Sequence, residues 1–156
     1  MKGFIGMILR DYVPYFCREA KFKRAIYRQQ KLYRRGYRRL AYFVHYYIYY
    51  KWHCEISCRA VIDPTVVFSH PIGIVIGDGT KLGKNTVVFQ NVTFGQKNDK
   101  FPQVGEECVI YPNSVLIGDI TISDRTIVGA GSVLLRSTEV ESIYAGNPAR
   151  RIDRKG

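Results

Sequence analysis

One histidine of this sequence has surroundings suited to acid–base chemistry. His70 lies in the segment FSHPIGIVIG, residues 68–77, where a regular repeat is interrupted. Residues inserted into a repeat bulge outward and often build a binding face. Because imidazole titrates near neutral pH, a histidine in such a segment is a candidate general base. The other two histidines, His45 and His53, fall in or beside an aromatic segment, where we expect them to pack or to lie on the surface.

The four cysteines do not form a recognisable metal motif. Cys54 and Cys58 have the spacing of half a zinc site, but no second Cys/His pair complements them. The first apolar run, residues 4–9, is too short for a signal peptide and is soon followed by proline. We therefore expect free thiols, no metal and a cytoplasmic protein. The cysteines are Cys17, Cys54, Cys58 and Cys108.

The elements that must position His70 follow a period of six residues. An apolar residue returns at every sixth position from Ile56 to Leu134, apart from two extra residues after Phe68 and four after Phe94. This period is neither the 3.6 of a helix nor the 2 of a strand. It is typical of a hexapeptide β-helix, in which three short faces make one triangular coil. The inward positions are Ile56, Ile62, Phe68, Ile76, Leu82, Val88, Phe94, Val104, Ile110, Leu116, Ile122, Val128 and Leu134.

Composition divides the chain into three parts. Residues 1–54 are predicted helices, residues 55–135 carry the repeat, and residues 136–156 form a C-terminal tail. The first part holds 13 Lys/Arg, two acids and ten of the 12 tyrosines, so it accounts for the whole net charge of +11. Pro14 is expected in the first turn of the first long helix. A coil cannot bury its own end, so we expect the helices to cap one end of the β-helix.

The second predicted helix ends in a nearly continuous apolar and aromatic run from Leu40 to Trp52. Its 13 residues are fewer than the roughly 20 that a membrane-spanning helix needs. Two compatible interpretations remain: packing on the β-helix or a partner subunit, and peripheral contact with an anionic inner-membrane surface. No nucleic-acid motif accompanies the basic residues, so nucleic acid is not an expected partner.

Four motifs in the repeat occur together and in order. They are HPIGIVIG at 70–77, QNVTFG at 90–95, IVGAGSV at 127–133 and GNPAR at 146–150. Through them, residues 50–152 resemble the hexapeptide-repeat acyltransferases, in the branch of serine O-acetyltransferases and the short polysaccharide O-acetyltransferases similar to them. The resemblance implies a mainly β fold, a left-handed parallel β-helix preceded by N-terminal α-helices. It also implies a homotrimer that binds acetyl-CoA between neighbouring subunits.

The resemblance gives His70 the role of the catalytic base. It would take the proton of an acceptor hydroxyl so that the oxygen attacks the thioester carbonyl. The serine branch has an Asp fifteen residues before this histidine, and the residue at that distance here is Glu55. A carboxylate there would fix the imidazole tautomer and stabilise the imidazolium. Without the resemblance, Glu55 is a solvated residue at the mouth of the first coil.

Departures from the serine branch bear on the acceptor. The serine enzymes have an Asp directly before the catalytic histidine and an Arg-His pair in a long loop. Here Ser69 takes the first position, and the loop reads NDKFP at 98–102, with Phe101 where the histidine would fall. A free amino acid needs charge partners, because burying unpaired ions is costly. We therefore expect Ser69, Lys100 and Phe101 to meet a glycan hydroxyl.

The donor is expected to bind mainly to backbone groups, as the resemblance implies. Backbone donors near Gly95 would stabilise the tetrahedral oxyanion. The arginines expected at the phosphates of coenzyme A would otherwise be ordinary surface charges. The expected donor-site residues are Gly95, Gln96, Pro112, Ala130, Gly131, Arg136, Arg150 and Arg151.

Together these features predict an acetyl-CoA-dependent O-acetyltransferase. The expected acceptor is a sugar hydroxyl of a surface polysaccharide or its lipid-linked precursor. Serine O-acetyltransferase of cysteine biosynthesis is the alternative within the same class, and a non-catalytic β-helix scaffold is the alternative outside it. A metal-dependent β-helix hydratase would need several histidines along the coils, where only His70 lies.

Overall fold

A helical hairpin opens the fold. The structure, a computed structural model, describes residues 2–152, with side chains from residue 18 onward. Helix α1 spans Lys2–Arg34 and α2 spans Arg38–Trp52, joined at Gly36 with a φ of 84°. The prediction for Pro14 is wrong, because α1 begins at Lys2 and Pro14 lies in its interior. An interior proline removes one backbone hydrogen bond, but the turns on either side can still form.

Thirteen short parallel strands follow and wind into a β-helix. Each strand pairs with the third strand after it, so three strands complete one coil. The strands are β1 Glu55–Ile56, β2 Val61–Ile62, β3 Val67–Phe68, β4 Val75–Ile76, β5 Lys81–Leu82, β6 Val87–Val88, β7 Thr93–Gly95, β8 Gln103–Val104, β9 Val109–Ile110, β10 Val115–Ile117, β11 Thr121–Ile122, β12 Ile127–Val128 and β13 Val133–Leu134. The predicted parallel β-helix with two N-terminal helices is confirmed.

Three sheets form the faces of the triangular coil. Sheet A contains β1, β4, β7, β10 and β13; sheet B contains β2, β5, β8 and β11; and sheet C contains β3, β6, β9 and β12. We call the corner from sheet C to sheet A the C–A edge and the corner from sheet A to sheet B the A–B edge. The two interruptions of the repeat fall on these two edges, at residues 69–74 and 96–102 respectively.

The interior is the stack of predicted inward positions. All thirteen are buried, with at most 5% of any side chain exposed. Burying one such Val, Leu, Ile or Phe side chain contributes roughly 1.5–3 kcal/mol. Asn85, Asn91 and Asn113 turn the corners at φ of 56°, 55° and 62°, as expected for a residue that tolerates the left-handed region.

The helical hairpin closes the first coil. The Phe22 ring lies 5.3 Å from the Phe68 ring and 5.4 Å from that of Trp52, which joins the hairpin to the β-helix core. The side-chain amide of Gln29 donates to the Ile56 carbonyl at 2.7 Å, and that of Gln30 donates to the Ala60 carbonyl at 2.8 Å. Side chains of α1 thus satisfy carbonyls of the first coil that no preceding coil can reach.

The C-terminal tail returns to the solenoid. Strand β14, Ile143–Gly146, pairs in parallel with β12, and β15, Ala149–Arg151, pairs antiparallel with β14. Sheet C therefore has six strands. Residues 153–156 of the predicted tail lie outside the described residues.

Candidate active site

A cavity of about 500 Å³ opens on the A–B edge beside the first two coils. Its walls come from α2, from the outer face of sheet A, from two A–B corners and from the long loop at residues 96–102. It is a concave site with several convergent polar groups, the usual form of a small-molecule site. The polar side chains lining it include Tyr42, His45, Glu55, Ser57, Arg59 and Asp78.

Two titratable side chains face this cavity from α2 and β1. Glu55 is the first residue of β1, and its side chain is exposed on the outer face of sheet A. Nδ1 of His45 lies 3.1 Å from the Ile56 carbonyl oxygen. Because a carbonyl only accepts, Nδ1 carries the hydrogen and Nε2 is the acceptor of the neutral ring. His45 was expected only to pack or to lie on the surface, and its aromatic neighbours gave no signal of a cavity.

Arg59 and Asp78 form a charged pair in the cavity wall. Nη1 of Arg59 lies 3.3 Å from Oδ2 of Asp78, and its Nε donates to the Tyr33 hydroxyl at 3.1 Å. The hydroxyl of Ser57 donates to Oδ1 of Asp78. The bond to Tyr33 and then the charge of Asp78 raise the pKa of the Arg59 guanidinium. Sequence reasoning missed this pair, since its two members come from corners of successive coils.

The long loop places Phe101 against the coil and at the cavity. A Cβ added at Gly79 would lie 2.7 Å from Cδ2 of Phe101, and one at Gly77 would also overlap the ring. These glycines are therefore needed for close approach of the ring. The Gln103 amide holds the loop by donating to the carbonyls of Gly79 and Phe101, both at 2.9 Å. Lys100 is exposed at the end of the tight turn from Lys97 and does not line the cavity.

His70 lies on the other edge. It is exposed on the C–A edge with a φ of 54°, in the left-handed region where histidine is among the enriched residues. It is not among the residues that line the cavity with Glu55. Neighbouring Ser69 is half-buried, and its N–H donates to the Val88 carbonyl at 2.8 Å. The dyad of His70 and Glu55 stays a prediction. Glu55 lies beside the residues that follow His70, because its N–H donates to the Ile74 carbonyl at 2.9 Å.

The predicted donor-site residues divide between the same two edges. Gly95 and Gln96 line the cavity on the A–B edge. Pro112, Ala130 and Gly131 turn the C–A edge in the coils after His70, where the Gly131 N–H donates to the Pro112 carbonyl at 2.9 Å. The three arginines are exposed, and Arg151 pairs with Glu139. The positions expected to bind the donor are Gly95, Gln96, Pro112, Ala130, Gly131, Arg136, Arg150 and Arg151.

The thiols of the described residues are structural. Cys54, Cys58 and Cys108 are free and buried. Burial raises the pKa of the Cys54 thiol and of the Cys108 thiol to about 11. Both are therefore protonated at neutral pH and are poor nucleophiles. Residues 18–152 contain no group of three or more His, Cys, Asp or Glu side chains that could hold a metal ion.

Comparison with known proteins now identifies the repeat. Residues 101–136 match the family model of the bacterial transferase hexapeptide (six repeats). Serine acetyltransferase of Bacillus subtilis is 32% identical over 106 residues, which are 65% of this chain and 49% of that protein. The β-helix is therefore similar to the hexapeptide-repeat domains of serine acetyltransferases.

Solved structures show the same similarity. Soybean serine acetyltransferase complexed with serine matches with a TM-score of 0.79 and 30% identity, covering 82% of this chain and 54% of that one. A serine acetyltransferase in complex with CoA matches with a TM-score of 0.79 and 26% identity, covering 82% of this chain and 54% of that one. The chain spans about half the length, or less, of the curated relatives it matches.

The prediction of a polysaccharide acceptor is wrong. The relatives that share the repeat are serine acetyltransferases, which supports the alternative interpretation. The prediction rested on charged groups missing at Ser69 and in the 98–102 loop. It did not count the charges that the fold brings into the cavity from elsewhere, above all Arg59 and Asp78.

Proposed function

We propose that this chain is a serine O-acetyltransferase that transfers the acetyl group of acetyl-CoA to the hydroxyl of L-serine. The observation that carries the proposal is a charged cavity on a β-helix whose structural relatives include serine acetyltransferases complexed with serine and with CoA. A zwitterionic acceptor requires charge partners of both signs. Glu55, Asp78 and Arg59 supply them at the cavity.

The chemistry requires a base, an oriented acceptor and a stabilised oxyanion. His70 removes the proton of the serine hydroxyl while the oxygen attacks the thioester carbonyl. Backbone N–H groups near Gly95 stabilise the tetrahedral oxyanion. The intermediate then expels the thiolate of coenzyme A, which takes the proton back from the His70 imidazolium. The products are O-acetylserine and coenzyme A.

A homotrimer would complete this site. His70 and the cavity containing Glu55 lie on different edges of one coil. In a closed ring of subunits, the C–A edge of one meets the A–B edge of the next at every interface. Arg59 and Asp78 of one subunit would then face His70 of its neighbour, and Glu55 would orient the His70 imidazole. Gly95 and Gln96 from one edge, with Pro112, Ala130 and Gly131 from the other, line the intervening groove for acetyl-CoA.

The direct test is a single-acceptor assay. Purified protein is incubated with acetyl-CoA and L-serine, and mass spectrometry detects O-acetylserine. L-Alanine is the matched control, because it keeps both charges of serine and lacks the hydroxyl. We expect product with L-serine only. Absence of O-acetylserine at millimolar concentrations of both substrates would overturn the proposal.

We also infer that α2 touches the inner membrane surface. No helix among the described residues is long and apolar enough to cross a membrane, but Leu40, Phe43, Tyr46 and Tyr50 are each at least 55% exposed on α2. Aromatic residues flanked by Arg and Lys suit the interface of an anionic bilayer. A cytoplasmic enzyme would dock there through this face.

Vesicle co-sedimentation tests the contact. The protein should pellet with vesicles containing phosphatidylserine and should remain in the supernatant with pure phosphatidylcholine. The double variant Phe43→Ser/Tyr50→Ser should lose most of this binding while keeping its thermal unfolding midpoint. Equal pelleting of the variant and the parent protein would exclude α2 as the contact.

A further inference from the structure

We infer that Arg59 and Asp78 together form the receptor for the zwitterionic head of the acceptor. In this arrangement the guanidinium of Arg59 binds the α-carboxylate of L-serine and the carboxylate of Asp78 binds its α-ammonium. The inference rests on the proposed function and specifies which residues read the substrate.

The long loop brings no cation to the cavity. The loop presents Lys100 and Phe101; Lys100 does not line the cavity, and Phe101 carries no charge. The α-carboxylate therefore needs a cation from another element. Arg59 is the one Lys or Arg side chain lining this cavity in the described part of the chain. A guanidinium also offers the planar, two-pronged geometry that suits a carboxylate.

The pair of Arg59 and Asp78 is open to exchange of partners. The side chains of Arg59 and Asp78 are 59% and 51% exposed. An ion pair at such exposure contributes little to stability, so separating it costs little. An amino acid that enters between the two groups gives each a new partner of opposite charge. Both charges thus remain paired in the complex, which avoids the cost of an isolated ion.

Neighbouring side chains hold the receptor in place. Nε of Arg59 donates to the Tyr33 hydroxyl at 3.1 Å, and the Arg59 backbone N–H donates to the Ser57 hydroxyl at 3.0 Å. That hydroxyl in turn donates to Asp78. Helix α1 and the corners of two coils therefore fix both charged groups before the substrate binds. Such preorganisation reduces the ordering cost of binding.

The experiment measures the steady-state constants of R59Q with two acceptors. Removing a charge-assisted hydrogen bond should raise the KM for L-serine about 10- to 100-fold, with the KM for acetyl-CoA unchanged. L-Serine amide lacks the carboxylate, so R59Q should process it as well as the parent protein does. The conservative variant R59K keeps the charge without the two-pronged geometry. Its KM for L-serine should lie between those of the parent protein and R59Q. D78N should also raise the KM for L-serine.

The matched control is R125Q. Arg125 is likewise an exposed corner arginine paired with a carboxylate, with its Nε 2.6 Å from Oε1 of Glu141, but it does not line the cavity. Its substitution should leave both KM values unchanged. A merely structural role of Arg59 would instead lower the unfolding midpoint and affect both acceptors equally.

The outcomes separate the two proposals. Turnover of L-serine by the parent protein with an unchanged KM in R59Q and R59K overturns this inference alone. Equal losses of L-serine and L-serine amide turnover in R59Q overturn it as well. Failure of the parent protein to acetylate L-serine overturns the proposed function, and this inference with it.

Discussion

The two edges of sheet A have opposite characters. The C–A edge presents an exposed histidine in a left-handed backbone conformation, followed by corners at 89–92, 111–114 and 129–132 that contain no charged residue. The A–B edge is recessed, with a charged cavity lined by residues from a helix, from two corners and from a long loop. Each edge contains one interruption of the repeat. The contrast is what the proposed mechanism requires, in which one edge carries the base and the other the acceptor receptor.

Replacing the base should have the largest effect. His70→Asn removes the imidazole but tolerates the φ of 54°, so the fold should persist. We expect kcat for acetyl transfer to fall about 10²- to 10⁴-fold, measured as O-acetylserine release. His53→Asn is the matched control, since His53 is also exposed, with a φ of 52°. Near-parental turnover by His70→Asn would remove the C–A edge from the mechanism.

Mixed trimers test whether the two edges belong to different subunits. We expect His70→Asn homotrimers to be inactive and Arg59→Gln homotrimers to be nearly inactive at low L-serine concentration. Trimers that contain both kinds of subunit should regain activity at one of their three interfaces. Differently tagged subunits allow the mixed species to be isolated and assayed. Pairing His70→Asn subunits with subunits carrying both substitutions is the control without recovery. Mixed trimers as inactive as their parents would place the base and the acceptor receptor within one subunit.

Phe101→Ala should weaken the acceptor side alone. The ring packs on Gly77 and Gly79 and lines the cavity, so its loss should loosen the loop and raise the KM for L-serine several-fold. Phe89→Ala removes a similarly half-buried ring, stacked on Tyr111 beside the C–A edge, and should leave that KM unchanged. Equal effects of the two variants on the KM for L-serine would contradict an acceptor role specific to the A–B edge.

The smallest expected effect is on stability and comes from a buried thiol away from both edges of the proposed site. Burial raises the pKa of Cys108 to about 11, against roughly 8.5 in the unfolded chain. The folded state therefore favours the protonated thiol. Its contribution to stability is complete below pH 8.5 and is lost as the pH rises toward 11. Urea unfolding should give a lower free energy of unfolding at pH 10 than at pH 8. The difference between the two pH values should be smaller in Cys108→Ala. Identical pH dependence in the two proteins would refute this origin.

The inward row of the β-helix could be predicted because it repeats. Residues such as Ile76, Leu82 and Val88 must point into a narrow triangle, and the period alone identifies them. A second buried row was not predicted, since it contains hydroxyl residues that resemble a surface pattern. Thr86 and Ser114 are fully buried and donate to the carbonyls of Gly105 and Gly129 at 3.0 and 2.9 Å.

The site was only partly predictable for a different reason. His70, Glu55 and Phe101 were identified from motifs whose spacing is fixed along the chain. The contributions of His45 and Arg59 depend on how α2 and the corners of successive coils meet, and no local pattern encodes that arrangement. The error about the acceptor arose there, because the absent loop charges were visible in the sequence and the presence of Arg59 and Asp78 at the cavity was not.

The side chains of Gln29 and Gln30 also limit how β-helices can associate. A first coil with bare carbonyls would be an open template on which another chain could add strands, as in fibrils. Helix α1 covers the first coil, and its two glutamine amides already donate to the Ile56 and Ala60 carbonyls. These carbonyls are therefore not available to a strand of another chain. The helical hairpin therefore protects the protein against end-to-end polymerisation, independently of anything it contributes to the cavity.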